Sequence, residues 1–189
     1  MFDDEYYMLM ALEEAKKAVK EDEVPIGAVL VDADGRIIAK AYNTSEHGLH
    51  ALAHAETVVM SMGAISLEQK RLWDCTLYVT LEPCTMCASA ISMMRIKRLV
   101  FGAENPKGGA VINGVKFFES PTCNHKPIVS DKTRTTSISK AKTVIFRLNH
   151  SFNLSLLFLA ISIEKKRCDD DDKVLFKKVN IPTTPPTTL

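Results

Sequence analysis

Two short stretches, His54-Ala55-Glu56 and Glu82-Pro83-Cys84-Thr85-Met86-Cys87, constrain this chain more than any other feature. Cys84 and Cys87 stand three positions apart, so on a helix both thiols leave from one face. Pro83 is expected at the first helical position, where proline is best tolerated, with the cysteines in the opening turns. Free backbone N–H groups and the positive end of the helix dipole favour thiolates there. Two thiolates and the His54 imidazole supply three ligands for zinc, which leaves a fourth tetrahedral position for water. That open position marks a catalytic centre. A closed, purely structural site would need a fourth ligand, for which Cys75, His47 and His50 are the nearby candidates.

Glu56 follows His54 by two residues. On a regular helix such residues point to nearly opposite sides, so Glu56 does not read as a second ligand. At the irregular start of a helix its longer side chain can still reach a molecule held at the metal. A carboxylate in that place can take a proton from water and deliver it to a leaving group.

The chain has 189 residues and a net charge of +1, which suits one domain, or one domain plus a tail, and announces no overall nucleic-acid binder. Five cysteines are odd in number and show no disulfide-framework spacing, and a thiolate site suits a reducing compartment. The acidic start, Met1-Phe2-Asp3-Asp4-Glu5, is unlike a signal or transit peptide. The longest apolar run, Phe152 to Ile163, is too short to span a bilayer. A cytoplasmic protein with no membrane segment is the expectation.

Along the chain, a first helix has Asp3, Asp4 and Glu5 in its opening turn, Lys16, Lys17 and Lys20 near its end, and Met8, Leu12, Ala15 and Val19 facing a core. Ile26 to Asp32 reads as a strand covered on both faces, Asp34-Gly35 as a hairpin turn, and Arg36 to Tyr42 as the returning strand. The helix bearing His54 and Glu56 is expected to end near Met62, stopped by Gly63. Thr76 to Thr80 is a buried strand leading into a helix from Cys84 to about Met94, and Arg98 to Gly102 is a further strand. A glycine-bearing loop, residues 103–110, precedes a short helix around Val115 to Glu119. This order implies a mixed sheet with helices packed on it. Residues 1–130 form the expected domain. Residues 131–189 change character, with a Ser/Thr/Lys-rich stretch, a charge block and a Thr/Pro tail expected to be disordered.

The pattern H-x-E … P-C-x-x-C is that of the zinc nucleobase deaminases. Beyond it, the chain closely resembles the tRNA-specific adenosine deaminases of the cytidine deaminase-like superfamily. The likeness runs through Glu23-Val24-Pro25-Ile26-Gly27-Ala28-Val29, Asn43, Leu77 to Cys84, Arg95-Ile96, Val100 to Ala103, Lys107 to Ala110 and Asn124-His125, over roughly the first two-thirds. It implies a three-layer α/β/α sandwich, a homodimer with one Zn2+ per subunit, and conversion of adenosine to inosine at the wobble position of a tRNA anticodon. In that reading His54, Cys84 and Cys87 hold zinc, Glu56 shuttles the proton, and Asn43 holds the base or ribose. Main-chain groups near Val24, Ala55 and Glu82 frame the ring, and Asn105 and Lys107 lie in a loop toward the substrate. The anticodon stem-loop suits such an enzyme because its bases splay easily.

The chain also departs from the family. Asn105 stands where the family commonly has Asp, and a side chain that donates as well as accepts is expected to discriminate the 2′-hydroxyl more loosely. His50-Ala51-Leu52 replaces Asp-Pro-Thr, and Ile112-Asn113 replaces Gly-Ser. The family's closing amphipathic helix is not legible in residues 131–189, through replacement around Ser151 to Arg167 or through a shifted reading frame. Two other functions remain open: a deaminase of a free base or nucleoside of the guanine or cytosine type, and a catalytically weak zinc-binding subunit.

Overall fold

The computed structural model describes residues 3–48 and 50–131. The expectations placed on residues 132–189 lie outside the described residues.

Asp3 caps the first helix, its side chain accepting the Tyr6 N–H at 2.9 Å. Helix α1, Asp4–Lys20, has Asp4 and Glu5 in its first turn and Lys17 and Lys20 in its last, so both ends match the helix dipole. It buries Tyr7, Met8, Ala11, Leu12, Ala15 and Ala18, whereas Val19 is only partly covered. Strand β1, Gly27–Val31, is buried along its whole length, and β2, Ile37–Tyr42, returns antiparallel to it. Gly35 turns the hairpin with φ 83°, which a residue with a Cβ adopts only under strain.

Helix α2, Ala55–Ser66, runs past Gly63, contrary to the expected stop. A Cβ at Gly63 would collide with Leu30 Cδ2, so this glycine allows close packing of helix on sheet rather than ending the helix. Strand β3, Thr76–Leu81, leads into α3, Thr85–Met94. Cys84 is the N-cap of α3, so Pro83 lies one residue outside the cap rather than at the first helical position. Arg95 leaves α3 in the left-handed region (φ 61°), and its guanidinium donates to the Asn124 carbonyl at 2.6 Å. Strand β4 is Arg98–Ala103, and Phe117–Glu119 makes a single 3-10 turn where a short helix was expected. Strand β5, Ile128–Asp131, was not foreseen in the sequence.

The five strands order as β2-β1-β3-β4-β5. Strand β1 is antiparallel to both of its neighbours, while β3, β4 and β5 are parallel, which gives the expected mixed sheet. Successive side chains on a strand point to opposite faces, and the two cores follow that alternation. Val29, Val31, Tyr78 and Val100 pack with Tyr7, Met8, Ala11 and Leu12 of α1. Ala28, Leu30, Leu77, Val79, Leu99 and Phe101 face the other way, onto Ala55, Val59 and Met60 of α2 and Ala88 and Ile91 of α3. The result is a three-layer α/β/α sandwich. Helices α2 and α3 share one face, so their N-termini can present residues to a common site.

Candidate active site

His54 is the N-cap of α2 and Cys84 the N-cap of α3, and both hold extended backbone (φ −73°, ψ 153° and φ −73°, ψ 174°). Cys87 is the third residue inside α3 and fully buried. His54 Nδ1 lies 3.7 Å from Cys84 Sγ and 3.5 Å from Cys87 Sγ. Ligands of a tetrahedral zinc at ordinary bond lengths stand about 3.5 Å apart, so these separations are edges of such a tetrahedron. The three ligand atoms lie within 4.8 Å of one another. Cys75, His47 and His50 are not part of that cluster among the described residues, which removes the candidates for a closed site. The donor set therefore fits zinc with one position left open.

The charges tell the same story. The Cys84 thiol is pulled down to about 4, first by the hydrogen bond it receives from Cys87 and then, against burial, by His54. Cys87 is driven well above the ordinary thiol range, first by donating to Cys84 and then by burial and the Glu56 charge. His54 is raised, chiefly by its bond to Cys84. Left to themselves the two sulfurs share one negative charge, and a divalent cation is what would let both ionise.

Glu56 sits in the first turn of α2, 3 % exposed. Its Oε2 is a buried oxygen with no hydrogen-bond partner among the described residues. Burial raises its pKa, opposed in part by the positive side of His54. A native fold rarely leaves a carboxylate oxygen unpaired, and such an atom is accounted for by a ligand or a reacting proton.

Beside His54 opens a cavity of ≈ 530 Å³ lined by Val24, Ile26, Asn43, Ser45, Glu46, Ala51 and His54. That volume suits a nucleoside-sized guest. Val24 and Asn43, singled out in the sequence, are in its wall; Ile26, Ser45, Glu46 and Ala51 were not assigned to it. Ala55 is buried at the first position of α2, next to His54, and does not line the cavity.

Glu82 is not among the residues that line the cavity. Its carboxylate accepts the backbone N–H groups of Asn105, Val111, Ile112 and Asn113 at 2.8 to 3.0 Å, and the Asn113 Nδ2 at 2.7 Å. Burial alone would raise its pKa, yet the bonds from Asn105, Asn113 and Ile112 hold it below the usual range. A Cβ at Gly109 would strike this carboxylate, so only glycine lets the loop close over it. Glu82 thus fastens the 104–113 loop to the strand end that delivers Cys84, and Cys84 and Gly109 form a bridge there. Asn105 spends its N–H on Glu82, and its Oδ1 accepts from Gly108 N at 3.0 Å. Lys107 is exposed on the same loop, and neither residue lines the cavity.

Residues 1–103 match the family described as the cytidine and deoxycytidylate deaminase zinc-binding region. The tRNA-specific adenosine deaminase of Agrobacterium fabrum is 56% identical over 124 residues, 66% of this chain and 81% of that protein. The enzyme of the same name in Bacillus subtilis is 47% identical over 126 residues, covering 67% and 78%. A solved structure described as a study of A-to-I editing by tRNA:A34 deaminases at the wobble position is 51% identical with a TM-score of 0.68. It spans 72% of this chain and 98% of its own. A guanine deaminase from Nitrosomonas europaea, 20% identical with a TM-score of 0.67, shares the fold, covering 79% of this chain and 86% of its own. The His54, Cys84 and Cys87 cluster, the orphaned carboxylate beside it and the length of these matches agree: the chain belongs to the tRNA-specific adenosine deaminases of the cytidine and deoxycytidylate deaminase family.

Proposed function

We propose that this protein is a zinc-dependent hydrolase that converts adenosine to inosine at the wobble position of a tRNA anticodon, with one zinc per subunit. The observation that carries the chemistry is the unpartnered Glu56 Oε2 buried beside the His54, Cys84 and Cys87 ligands. The tRNA assignment is supported by relatives of that name at 56% and 47% identity.

Zinc held by His54, Cys84 and Cys87 would supply a Lewis acid that makes water a nucleophile near neutral pH. The rest falls to the chain. Glu56, buried with one oxygen free of hydrogen bonds, would accept the proton of the attacking water as a carboxylate and pass it on as the carboxylic acid. Glu56 takes a proton from the attacking water as the water oxygen bonds to C6 of the adenine, and passes it to N1. It then moves the proton of the new C6 hydroxyl to the 6-amino group, which leaves as ammonia as the C6–O bond becomes the carbonyl of hypoxanthine. Val24, Ile26 and Ala51 give the cavity apolar wall against which a flipped base can lie, and Asn43 supplies a polar group to orient it. Asn105 and Lys107, on the loop fastened by Glu82, lie outside the cavity lining, and contact with the flanking backbone or sugar of the target nucleotide is the role this reading assigns them.

A homodimer fits the exposed Met62 and Ile65 on α2 and Met93 on α3, apolar surface that a second copy would cover. No helix among the described residues is long and apolar enough to cross a membrane, and a thiolate site suits the reducing cytoplasm.

The test is incubation of zinc-loaded protein with an anticodon stem-loop carrying adenosine at the wobble position, and separately with free guanine, cytosine and their nucleosides. Inosine in the stem-loop supports this reading. Ammonia from the free compounds alone would replace it with a small-molecule deaminase, and bound zinc with no turnover would replace it with a binding subunit.

A further inference from the structure

Glu23 is fully buried, yet nothing in the chemistry above uses it. It sits directly behind the cavity wall. Its Oε1 accepts the backbone N–H groups of Glu46 and His47 at 2.9 and 2.8 Å, and its Oε2 accepts Nδ2 of Asn43 at 3.0 Å. The second Nδ2 hydrogen of Asn43 goes to Ser45 Oγ at 2.8 Å. Asn43, Ser45 and Glu46 all line the cavity, so the carboxylate holds two members of its wall directly and Ser45 through Asn43.

The chemistry of the pair removes an ambiguity. A carboxamide is nearly symmetric in shape, and packing alone would let Asn43 sit either way round. An ionised carboxylate only accepts, so Asn43 can turn nothing but Nδ2 toward Glu23. Its Oδ1 has no hydrogen bond to the described residues and is left for a guest. Among the described residues, the basic side chain recorded beside the carboxylate is the exposed His47 ring, whose Nδ1 stands 3.9 Å from Oε1. A position that served packing alone would be better filled by an apolar side chain, because burying a carboxylate is costly.

We propose that Glu23 is a positioning residue: it fixes which way the Asn43 carboxamide faces and pins the 44–48 loop, and so sets affinity for the nucleotide entering the cavity. The proposal rests on reading that cavity as the place of the target nucleotide.

Glu23→Gln keeps the shape. Its Oε1 still serves the N–H groups of Glu46 and His47, but its Nε2 then faces Asn43, whose carboxamide must turn over. The change is thereby concentrated on one partner. Single-turnover kinetics on the wobble-adenosine stem-loop would compare wild type, Glu23→Gln, Asn43→Ala and the double variant, with zinc content and melting temperature alongside. Glu23→Gln is expected to raise the half-saturating concentration about tenfold, with the maximal rate within about twofold and zinc content unchanged. Added to Asn43→Ala it is expected to cost nothing further, because its effect runs through Asn43. An equal cost in both backgrounds would overturn the proposal and make Glu23 mere support.

A second readout needs neither turnover nor the variant's stability. In wild type, the Asn43 side-chain amide signal, identified by its loss in Asn43→Ala, is expected to exchange slowly with solvent. Exchange as fast as that of a free carboxamide would overturn the proposal. If wild type formed no inosine while the amide stayed protected, the functional reading would fail and the positioning role of Glu23 would stand.

Discussion

Glu56 and Glu82 are both buried carboxylates, and their surroundings assign them opposite duties. Glu56 keeps one oxygen unpaired next to the metal ligands, whereas Glu82 accepts five hydrogen bonds from one loop. Replacing Glu56 by Gln should leave zinc bound and lower turnover by at least about 10²-fold, read as inosine formed per zinc. Replacing Glu82 by Gln sets an amide against donors it once accepted from, and should cost about 3 kcal/mol in denaturant unfolding. The meeting of His54, Cys84 and Cys87 was legible in the sequence because metal chemistry demands those residue types at that spacing. Glu82 was not: the sequence marked it as a frame for the base through its main chain, and its side-chain work depends on a loop that returns from residues 105 to 113. Asn113 proves to be one of the donors to Glu82, through both its backbone N–H and its Nδ2.

The elements were placed largely as read, but α2 runs four residues past its expected end and β5 was missed, both where tertiary contact overrides local signal. All five residues of β1 are buried, as a β-branched and apolar run covered on two faces requires. Gly63 misled because a glycine near the end of a periodic segment reads as a stop, yet here it makes room for Leu30. Pro83 misled by two positions, and the shift matters: Cys84 becomes the N-cap, while Cys87 comes from the first turn. Strand β5 escaped notice because its four residues acquire meaning only by pairing with β4. Gly27 offers the sharper test at this scale. A Cβ there would meet the Ala11 carbonyl and the Ala15 N–H, so it sets how closely α1 approaches β1. Gly27→Ala should destabilise by about 2–3 kcal/mol, read as a lower urea midpoint at unchanged m-value. On strand propensity alone the same change would stabilise. The sign decides between them.

At the scale of the whole molecule, the sandwich brings two helix N-termini together on one side of a mixed sheet, and that convergence makes the centre. His54 and Cys84 are thirty residues apart in sequence, and each stands at an N-cap where extended backbone turns the side chain away from its own helix. The binding wall comes from a third direction, with Val24 and Ile26 leading into β1 and Asn43 following β2. Cys84→Ala should therefore lose metal while keeping the sheet, which metal analysis and circular dichroism would show together. The most direct trial of the account is a zinc titration of chelator-stripped protein, following inosine formed in the wobble-adenosine stem-loop against zinc bound per chain. The rate should begin near zero, rise in proportion to zinc and level off at one zinc per chain. Full activity in metal-free protein, or a fully loaded protein that makes no inosine, would contradict it.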